Sequence, residues 1–356
     1  MKPILAYESF IEKFPNVTNK GKQLAEGLLP LYASPELAGL VAALMTDGHV
    51  DWYTNNGNSR TKRITLYSSK REECEWFLRL VKKIFGVSGK IEAYVPNHNN
   101  WIKQPYKANV FNAVVARILI LAGAPAGNKT EKEFLIPEWI MGGNLEIKRE
   151  FLRTFFTFEG GKPFVKRSKG HAYQMSLFMN KSPDLLDNAF NFFNQIVTLL
   201  DFFGVSCSRI ANRISKNVTY YTGKNTIYFT ITNHKSIVNF YHNIGFLNSV
   251  KQARLESCVL DIAKFHRLKS DAICRLIKHA KRTIGTDREL TDYLNKFTAV
   301  KYSYRQIEHF RKKEIAVPLE IVSALIVLLE DNSVLKELPD YAVPLLTCSS
   351  VRASPV

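Results

Sequence analysis

The sequence predicts an α+β protein in which an αββαββα unit occurs twice and is followed by an all-helical module. Three short motifs repeat in the same order: LVAALMTDG at 40–48 recurs as LRTFFTFEG at 152–160, FGVS at 85–88 recurs at 203–206, and a glycine six residues before a lysine at 123–129 recurs at 245–251. Their spacing grows only from 112 to 118 and 122 residues, as expected for duplication with small insertions. We therefore expect an N-terminal helical extension (1–33), a first half (34–142), a second half (143–255), a helical domain (256–335) and a tail (336–356).

Each element of the first half has a local signal. Ser34-Pro35-Glu36 combines an N-cap, a proline at the first helical position and an early acid, which begins a helix ending at Asp47-Gly48. Asn56-Gly57 predicts a hairpin turn, and the apolar alternation of Ile64 and Leu66 predicts the returning strand. The half is completed by a helix at 72–85 closed by Gly86, strands at 90–95 and 106–111, and a helix at 113–121.

The second half follows the same order. Asn144 caps a helix at 145–158, and a hairpin of strands 164–167 and 173–178 comes next. A helix at about 185–203 ends at Gly204. Strands at 209–214 and 226–232 precede a final short helix.

After about Glu256 the pattern becomes helical throughout. Thr286 to Glu289 is a capping box for a helix at 290–297, Ser303 caps a helix at 304–313, and an apolar helix runs from Pro318 to Leu329. This order is similar to the helix-turn-helix of repressors, with Ile307 and Phe310 facing the core. The alternative is a helical tail that packs on the rest of the protein. About the last 20 residues are expected to fray. The similarity implies DNA contacts from Tyr304, Arg305, His309 and Lys312.

The charge of the chain indicates its class of partner. Lys and Arg number 49 against 32 Asp and Glu, and the net charge of +17 points to nucleic acid or an anionic membrane. No apolar run reaches the roughly 18 residues that span a bilayer, and the N-terminal segment lacks a signal-peptide cleavage site. The five cysteines are scattered, so we expect neither a zinc site nor disulfides. These features favour an intracellular, reducing compartment: cytoplasm, nucleoid or an organelle.

The two acid-ended helices are the strongest functional signal. Small residues recur in the first helix at Ala38, Gly39, Ala42 and Ala43, a face on which a second helix could pack closely. The two acids would then meet at helix C-termini, where unpaired carbonyls already carry partial negative charge. Two such carboxylates repel one another unless a cation lies between them, and hard oxygen ligands suit Mg²⁺. The alternative is that both are ordinary helix-end turns.

The paired motifs resemble those of the LAGLIDADG homing endonucleases, in the form that carries two motifs in one chain. The resemblance covers about 35–255 and includes GAPAGNKTEKEFLIPEWI at 123–140 and GFLNSVKQARL at 245–255. Two positions depart from the family pattern, because Ala42 and Thr154 stand where glycine is usual. Glu159 replaces aspartate but keeps the carboxylate.

The resemblance implies a site-specific endonuclease that makes metal-dependent double-strand breaks by phosphodiester hydrolysis. It also implies two antiparallel sheets forming a saddle over double-stranded DNA, in a monomer with internal pseudo-symmetry. The metal, Mg²⁺ or Mn²⁺, would be held by Asp47 and Glu159 with Gly48 and Gly160. Basic residues beside the scissile phosphates would be Lys129, Lys251 and Lys162; for each, the alternative is a solvated surface charge.

The polar faces of the predicted strands are candidates for DNA contact, since a β-ribbon can read base edges with Arg, Asn and Gln while lysines neutralise phosphates. The alternative is an ordinary solvent-facing sheet surface. The candidate residues are Tyr53, Asn55, Arg60, Arg63, Thr65, Tyr67, Lys166, Arg167, Gln174 and Ser176.

Two other functions remain open on the same fold. One is a regulator that binds DNA without cutting it, and the other is a maturase that acts on intron RNA. Retention of both Asp47 and Glu159 favours the nuclease. An intein is disfavoured because the chain begins with Met1 and ends in Ser-Pro-Val rather than His-Asn.

Overall fold

The computed structural model describes residues 3–51, 53–55, 58–60, 63–93, 106–166, 172–214, 224–265, 267–340 and 342–347. The fold is α+β, with two four-stranded antiparallel sheets and many helices, as the sequence predicts. The chain forms two compact units. The first comprises Met1–Lys162, Met175–Ile231 and His242–Gln252, and the second comprises Pro163–Gln174, Thr232–Tyr241 and Ala253–Val356.

Three helices precede the first sheet: α1 (Tyr7–Lys13), α2 (Asn19–Leu28) and α3 (Pro35–Met45). The predicted cap of α3 is present, because Ser34 Oγ accepts a hydrogen bond from Leu37 N at 3.1 Å. Every residue of α3 from Leu37 onward is buried, which makes this helix the centre of the first unit.

The first half forms one sheet and one separate hairpin. Its elements are β1 (Gly48–Val50), β2 (Tyr53–Asn55), β3 (Asn58–Arg60), β4 (Ile64–Ser68), α4 (Arg71–Phe85), β5 (Lys90–Ala93), β6 (Tyr106–Val110) and α5 (Ala113–Leu121). The sheet has the order β1-β4-β6-β5, and α4 packs on its two central strands. β2 and β3 pair on either side of the predicted turn, with Asn55 opposite Asn58; Asn56 and Gly57 lie outside the described residues.

The second half repeats this topology. Its elements are α6 (Glu138–Met141), α7 (Leu145–Phe158), β7 (Phe164–Lys166), β8 (Ala172–Lys181), α8 (Leu186–Asp201), β9 (Ala211–Ile214), β10 (Asn225–Ile231) and α9 (His234–Asn243). The sheet order β7-β8-β10-β9 corresponds strand for strand to the first sheet. β8 runs three residues beyond the predicted end at Phe178, because its alternating burial continues through Met179 to Lys181.

The C-terminal helices are α10 (Ser249–Phe265), α11 (Asp271–Ile284), α12 (Asp287–Phe297), α13 (Tyr304–Arg311), α14 (Leu319–Leu329) and α15 (Ala342–Thr347), with a short pair β11 (Arg267–Leu268) and β12 (Val317–Pro318). The capping box at Thr286 is present, and Ser303 forms a second one with Gln306. α11, which the sequence pattern did not single out, packs against α12, α13 and α14. Part of the tail expected to fray forms α15, because its apolar Leu345 and Leu346 are buried; residues 348–356 lie outside the described residues. Among the described residues, no helix is both long and apolar enough to cross a membrane.

Candidate active site

The two motif helices, α3 and α7, pack against each other in the first unit. Gly39 of α3 faces α7: a Cβ there would be 3.2 Å from Thr154 Oγ1 and 3.3 Å from Glu150 Cγ. Thr154 is fully buried, and its hydroxyl has no hydrogen-bond partner. The missing side chain of Gly39 therefore makes room for Thr154 on α7.

Asp47 and Glu159 occupy equivalent places in the two halves. Each follows the last turn of its helix and precedes a glycine that pairs with the neighbouring strand, Gly48 with Leu66 and Gly160 with Leu177. A Cβ on Gly48 would lie 2.6 Å from Ala43 O, and one on Gly160 would lie 2.6 Å from Phe156 O. Only glycine permits so tight a passage from helix to strand, and this passage fixes the position of each acid.

Lys129 and Lys251 cap the two motif helices. The Lys129 ammonium donates to the carbonyls of Thr46 and Gly48, the latter at 2.6 Å, with Leu44 O at 3.4 Å. Three carbonyls thus accept from three N–H donors, and the positive charge lies at the negative end of α3.

Lys251 repeats this geometry on α7. Its ammonium donates to Thr157 O and Gly160 O, both at 2.5 Å, with Phe156 O at 3.3 Å. Both lysines therefore have defined partners in the backbone and are half-buried.

The electrostatics of the site depart from those of exposed groups. Asp47 is exposed by surface area, but surrounding protein atoms still desolvate its carboxylate, and this raises its pKa to about 6 against the opposing effect of Lys129 and Lys251. Burial first, and the charge of Asp47 second, raise the pKa of Glu159. Burial lowers the pKa of both lysines. The charge of Asp47 therefore contributes to the raised pKa of Glu159, as expected when one carboxylate acts on another nearby.

The carboxylates fit a divalent cation. Among the described residues, no group of three or more His, Cys, Asp or Glu side chains could hold a metal, but Mg²⁺ keeps several waters and needs only one or two carboxylates. A cation bound by Asp47 and Glu159 would offset the charge of Asp47, which adds to the effect of burial on the pKa of Glu159. The carbonyls of Gly48 and Gly160, expected as further ligands, each accept a hydrogen bond from one of the two lysines.

Lys162 lies at the edge of this cluster. It is exposed, and its charge lowers the pKa of Lys251. It is the member of the predicted lysine set that solvent reaches most readily.

The predicted DNA-contacting residues of the first sheet have mixed placements. Arg63 is half-buried, pairs with Asp51 at 2.8 Å, and lies 5.6 Å from the Phe111 ring. Tyr67 is half-buried. Thr65 corrects the prediction: it is 1% exposed, and its hydroxyl donates to Asn109 Oδ1 at 3.0 Å, so it is not available for base contact. For Tyr53, Asn55 and Arg60 the structure describes the strands but not the side chains.

In the second sheet, Gln174 and Ser176 are half-buried on β8. Lys166 is placed on β7 without a described side chain, and Arg167 lies outside the described residues.

In the second unit, the four residues of α13 and its C-cap that were predicted to contact DNA are exposed, while Ile307 and Phe310 are buried as expected. Two of the four have acidic partners on the same segment: His309 pairs with Glu314, and Lys312 pairs with Glu308 at 2.7 Å. Among the described ion pairs, none involves Arg305.

Sequence reasoning missed three residues around the site: Glu73, Lys181 and Asn248. A signal existed for two of them. Glu73 is adjacent to the buried Cys74 on the apolar side of α4, and Lys181 continues the buried alternation of Leu177 and Met179. A charged residue in an otherwise apolar register is a candidate for a specific partner.

No protein-family model matches this chain. Among curated proteins it is similar to the tRNA-splicing ligase RtcB of Pyrococcus abyssi (27% identical over 225 residues, 61% of this chain and 24% of that protein). It is also similar to RtcB of Methanocaldococcus jannaschii (22% over 300 residues, 79% and 30%) and to the replication factor C small subunit of the same organism (25% over 201 residues, 54% and 11%). The chain spans less than a third of the length of these relatives.

Solved structures with similar folds include I-DmoI in complex with DNA and Mn (15% identical, covering 59% of this chain and 96% of that one, TM-score 0.37). I-WcaI bound to its DNA recognition sequence is 14% identical, with coverage of 65% and 88% and a TM-score of 0.41. Full-length DUF199/WhiA from Thermotoga maritima is 14% identical, with coverage of 92% and 96% and a TM-score of 0.35.

Proposed function

We infer that this chain is a divalent-metal-dependent DNA endonuclease of the LAGLIDADG type that breaks both strands of a specific duplex site. The observation that carries the proposal is the pair of acid–lysine centres at the ends of α3 and α7. Duplex DNA has two antiparallel strands related by a two-fold axis, and two pseudo-symmetric centres match two scissile phosphates. The net charge of +17 supplies attraction to the phosphate backbone.

The residues of the chain have distinct roles in this proposal. Asp47 and Glu159 would hold Mg²⁺ or Mn²⁺, which when bound activates water and stabilises the leaving oxygen. Lys129 and Lys251 neutralise the helix ends and oppose the rise that burial causes in the pKa values of both acids, which favours their ionised forms. Lys162, being exposed, is the lysine placed to contact a phosphate.

The matches to curated relatives support the interpretation that this chain resembles a segment inserted into other proteins, and not that it is a ligase. The relatives are named as a tRNA-splicing ligase and a replication factor, which are different activities, yet each matches this chain over only 11–30% of its own length. That pattern is expected when one segment is inserted into otherwise unrelated proteins, which suits an element that moves by cutting DNA. The RNA-ligation activity of the relatives is therefore not transferred to this chain.

The test is cleavage of a randomised duplex library with Mg²⁺ or Mn²⁺. Wild type should select and cut one site, whereas Asp47→Asn and Glu159→Gln should bind the same site and leave it intact. Glu72→Gln, an exposed acid on α4, is the matched control and should cut normally. Undiminished cleavage by both acid variants would overturn the assignment.

A DNA-binding regulator is the second candidate function. The observation that favours it is the capping of both motif helices by Lys129 and Lys251, because these lysines have backbone partners that serve the fold whether or not the site binds a metal. If the protein selects a specific duplex site but does not cut it with Mg²⁺ or with Mn²⁺, the regulator function is established. Both functions predict binding that weakens steeply with salt.

A further inference from the structure

Lys129 and Lys251 contact the ends of the motif helices from two segments that lie elsewhere in the chain. We call residues 129–132 the first lysine loop and residues 246–251, which include the first turn of α10, the second lysine loop. We propose that Lys181 and Glu73 are positioning residues that hold these two loops crosswise, each half of the protein fixing the lysine that caps the other half's motif helix. The inference rests on the proposed function, because its consequence is read as cleavage of individual strands.

Lys181 holds the first lysine loop. It is 1% exposed at the end of β8, and its ammonium donates to Lys129 O at 2.8 Å and Lys132 O at 2.5 Å. The same ammonium lies 3.9 Å from the centre of the Phe134 ring. Burying an ammonium is costly unless it is fully partnered, so this lysine has a specific task in the first unit.

Neighbouring groups of the second half complete this attachment. Ser182 N donates to Thr130 O at 3.0 Å, and Lys224 Nζ donates to Thr130 Oγ1 at 2.8 Å. The backbone of the first lysine loop is thus fixed by the second half, while the side chain of Lys129 extends to the end of α3 in the first half.

Glu73 holds the second lysine loop by different chemistry. It is 9% exposed on α4, accepts a hydrogen bond from Ser68 Oγ, and accepts another from Asn248 Nδ2 at 2.6 Å. Asn248 Oδ1 in turn accepts from Lys251 N at 3.0 Å, which caps α10. A carboxylate of the first half therefore fixes the loop whose lysine caps α7 in the second half.

The two halves carry the same pair of charged residues in the same register. Leu66 and Leu177 are equivalent, since they face Gly48 and Gly160. Four residues after these two leucines stand Lys70 and Lys181, which are therefore equivalent. Seven residues after them stand Glu73 and Asp184, which are equivalent in the same way. The first half buries its acid and leaves Lys70 half-buried, and the second half buries its lysine and exposes Asp184.

The crosswise arrangement predicts strand-selective effects. The charges of Lys129 and Lys251 act on both acids, but each lysine caps only one helix end. Loss of Lys181 frees the loop of Lys129 and should displace chiefly the end of α3 with Asp47, whereas loss of the Glu73 carboxylate should displace chiefly the end of α7 with Glu159. A displacement of about 1 Å at a reacting centre can cost about 100-fold in rate. General destabilisation, by contrast, would slow both strands alike.

The experiment compares Lys181→Met and Glu73→Gln with wild type on the selected duplex, with each strand labelled separately. We expect each variant to slow one strand by about 10- to 100-fold relative to the other, and the two variants to affect opposite strands. Lys148→Met is the matched control, because Lys148 is also buried, donates to Gly143 O and lies 4.5 Å from the Phe202 ring, but holds neither lysine loop. It should leave the ratio of the two strand rates unchanged.

Amide hydrogen exchange provides a second measurement that does not depend on cleavage. Lys181→Met should raise exchange in the first lysine loop only, and Glu73→Gln in the second only. Equal slowing of both strands, or unchanged exchange in both loops, would overturn the proposal. If wild type cuts no duplex, the proposed nuclease function fails, and the exchange measurement still decides whether these residues hold the loops.

Discussion

Removal of the Lys129 ammonium provides a quantitative test of the capped-helix site. In Lys129→Met the carbonyls of Leu44, Thr46 and Gly48 lose their donor, while Asp47 and Glu159 lose a neighbouring positive charge. Hydrogen bonds from a charged donor are each worth about 1.5–3 kcal/mol, but the variant also escapes the cost of burying the ammonium. Breaking a buried ion pair from one side costs about 3–5 kcal/mol. We expect the lower end, a loss of about 3 kcal/mol in the free energy of unfolding.

The loss of unfolding free energy in Lys129→Met should depend on pH in a defined direction. Both acids have raised pKa values in the folded protein, so folding takes up protons, and stability falls as pH rises from the unfolded values, near 4, through the folded ones. Lys129 opposes this rise, and without it the pKa of Glu159 increases further; each tenfold change in the acid's dissociation constant corresponds to about 1.4 kcal/mol. The variant should therefore lose more stability near pH 7.5 than near pH 5.

Urea unfolding of the metal-free protein at both pH values, with Lys162→Met as the exposed control, measures the effect. The control should change stability by less than about 0.5 kcal/mol at either pH. Equal losses for Lys129→Met at both pH values would refute the electrostatic part of the reasoning, and a loss no larger than the control's would refute the capping role itself.

The remaining predictions concern the helix interface, the metal and the second unit. Thr154→Ala should preserve or raise the free energy of unfolding, because it removes a buried hydroxyl without a partner. Thr157→Ala should lower it by about 1–2 kcal/mol, because Thr157 Oγ1 accepts a hydrogen bond from Leu247 N at 2.9 Å. Equal losses for the two variants in urea unfolding would contradict this. Gly39→Ala should cost about 1–3 kcal/mol through its contact with Thr154, and a double-mutant cycle with Thr154→Ala should recover part of that cost; strict additivity would exclude the contact. Mg²⁺ should raise the melting temperature more near pH 8 than near pH 5.5, since protons compete with the metal for Asp47 and Glu159. Asp47→Asn should remove most of this increase. A pH-independent increase that the variant shows equally would exclude this site as the metal site. Ser303→Ala should destabilise the second unit by about 1 kcal/mol, because it breaks a reciprocal capping box; an unchanged thermal transition would count against that cap.

Much of the framework was predictable from local signals. The N-caps Ser34 and Asn144 and the closing Gly86 place helix ends within a residue or two of those observed. The register of the acids was also predictable, because it follows from two matched motifs. These features depend on short stretches of chain, where capping and backbone conformation dominate.

What the sequence did not reveal depends on contacts between distant segments. Lys129 Nζ reaches carbonyls more than 80 residues away, and Asn248 Nδ2 reaches Glu73 across 175 residues. No local pattern distinguishes such lysines from solvated ones. Thr65 shows the converse error: its alternation places it on the polar face, but hydrogen bonding to Asn109 buries it.

The opposite burial of the Lys–acid pair in the two copies has an evolutionary implication. A symmetric ancestor would have satisfied both connectors with identical contacts, so either copy could have replaced the other. Here one copy anchors through Lys181 and the other through Glu73, and each has become specialised for its neighbour. A chimera built from two first halves, or from two second halves, would duplicate one anchor and lose the other, so the fusion of the two copies can no longer be reversed by simple exchange.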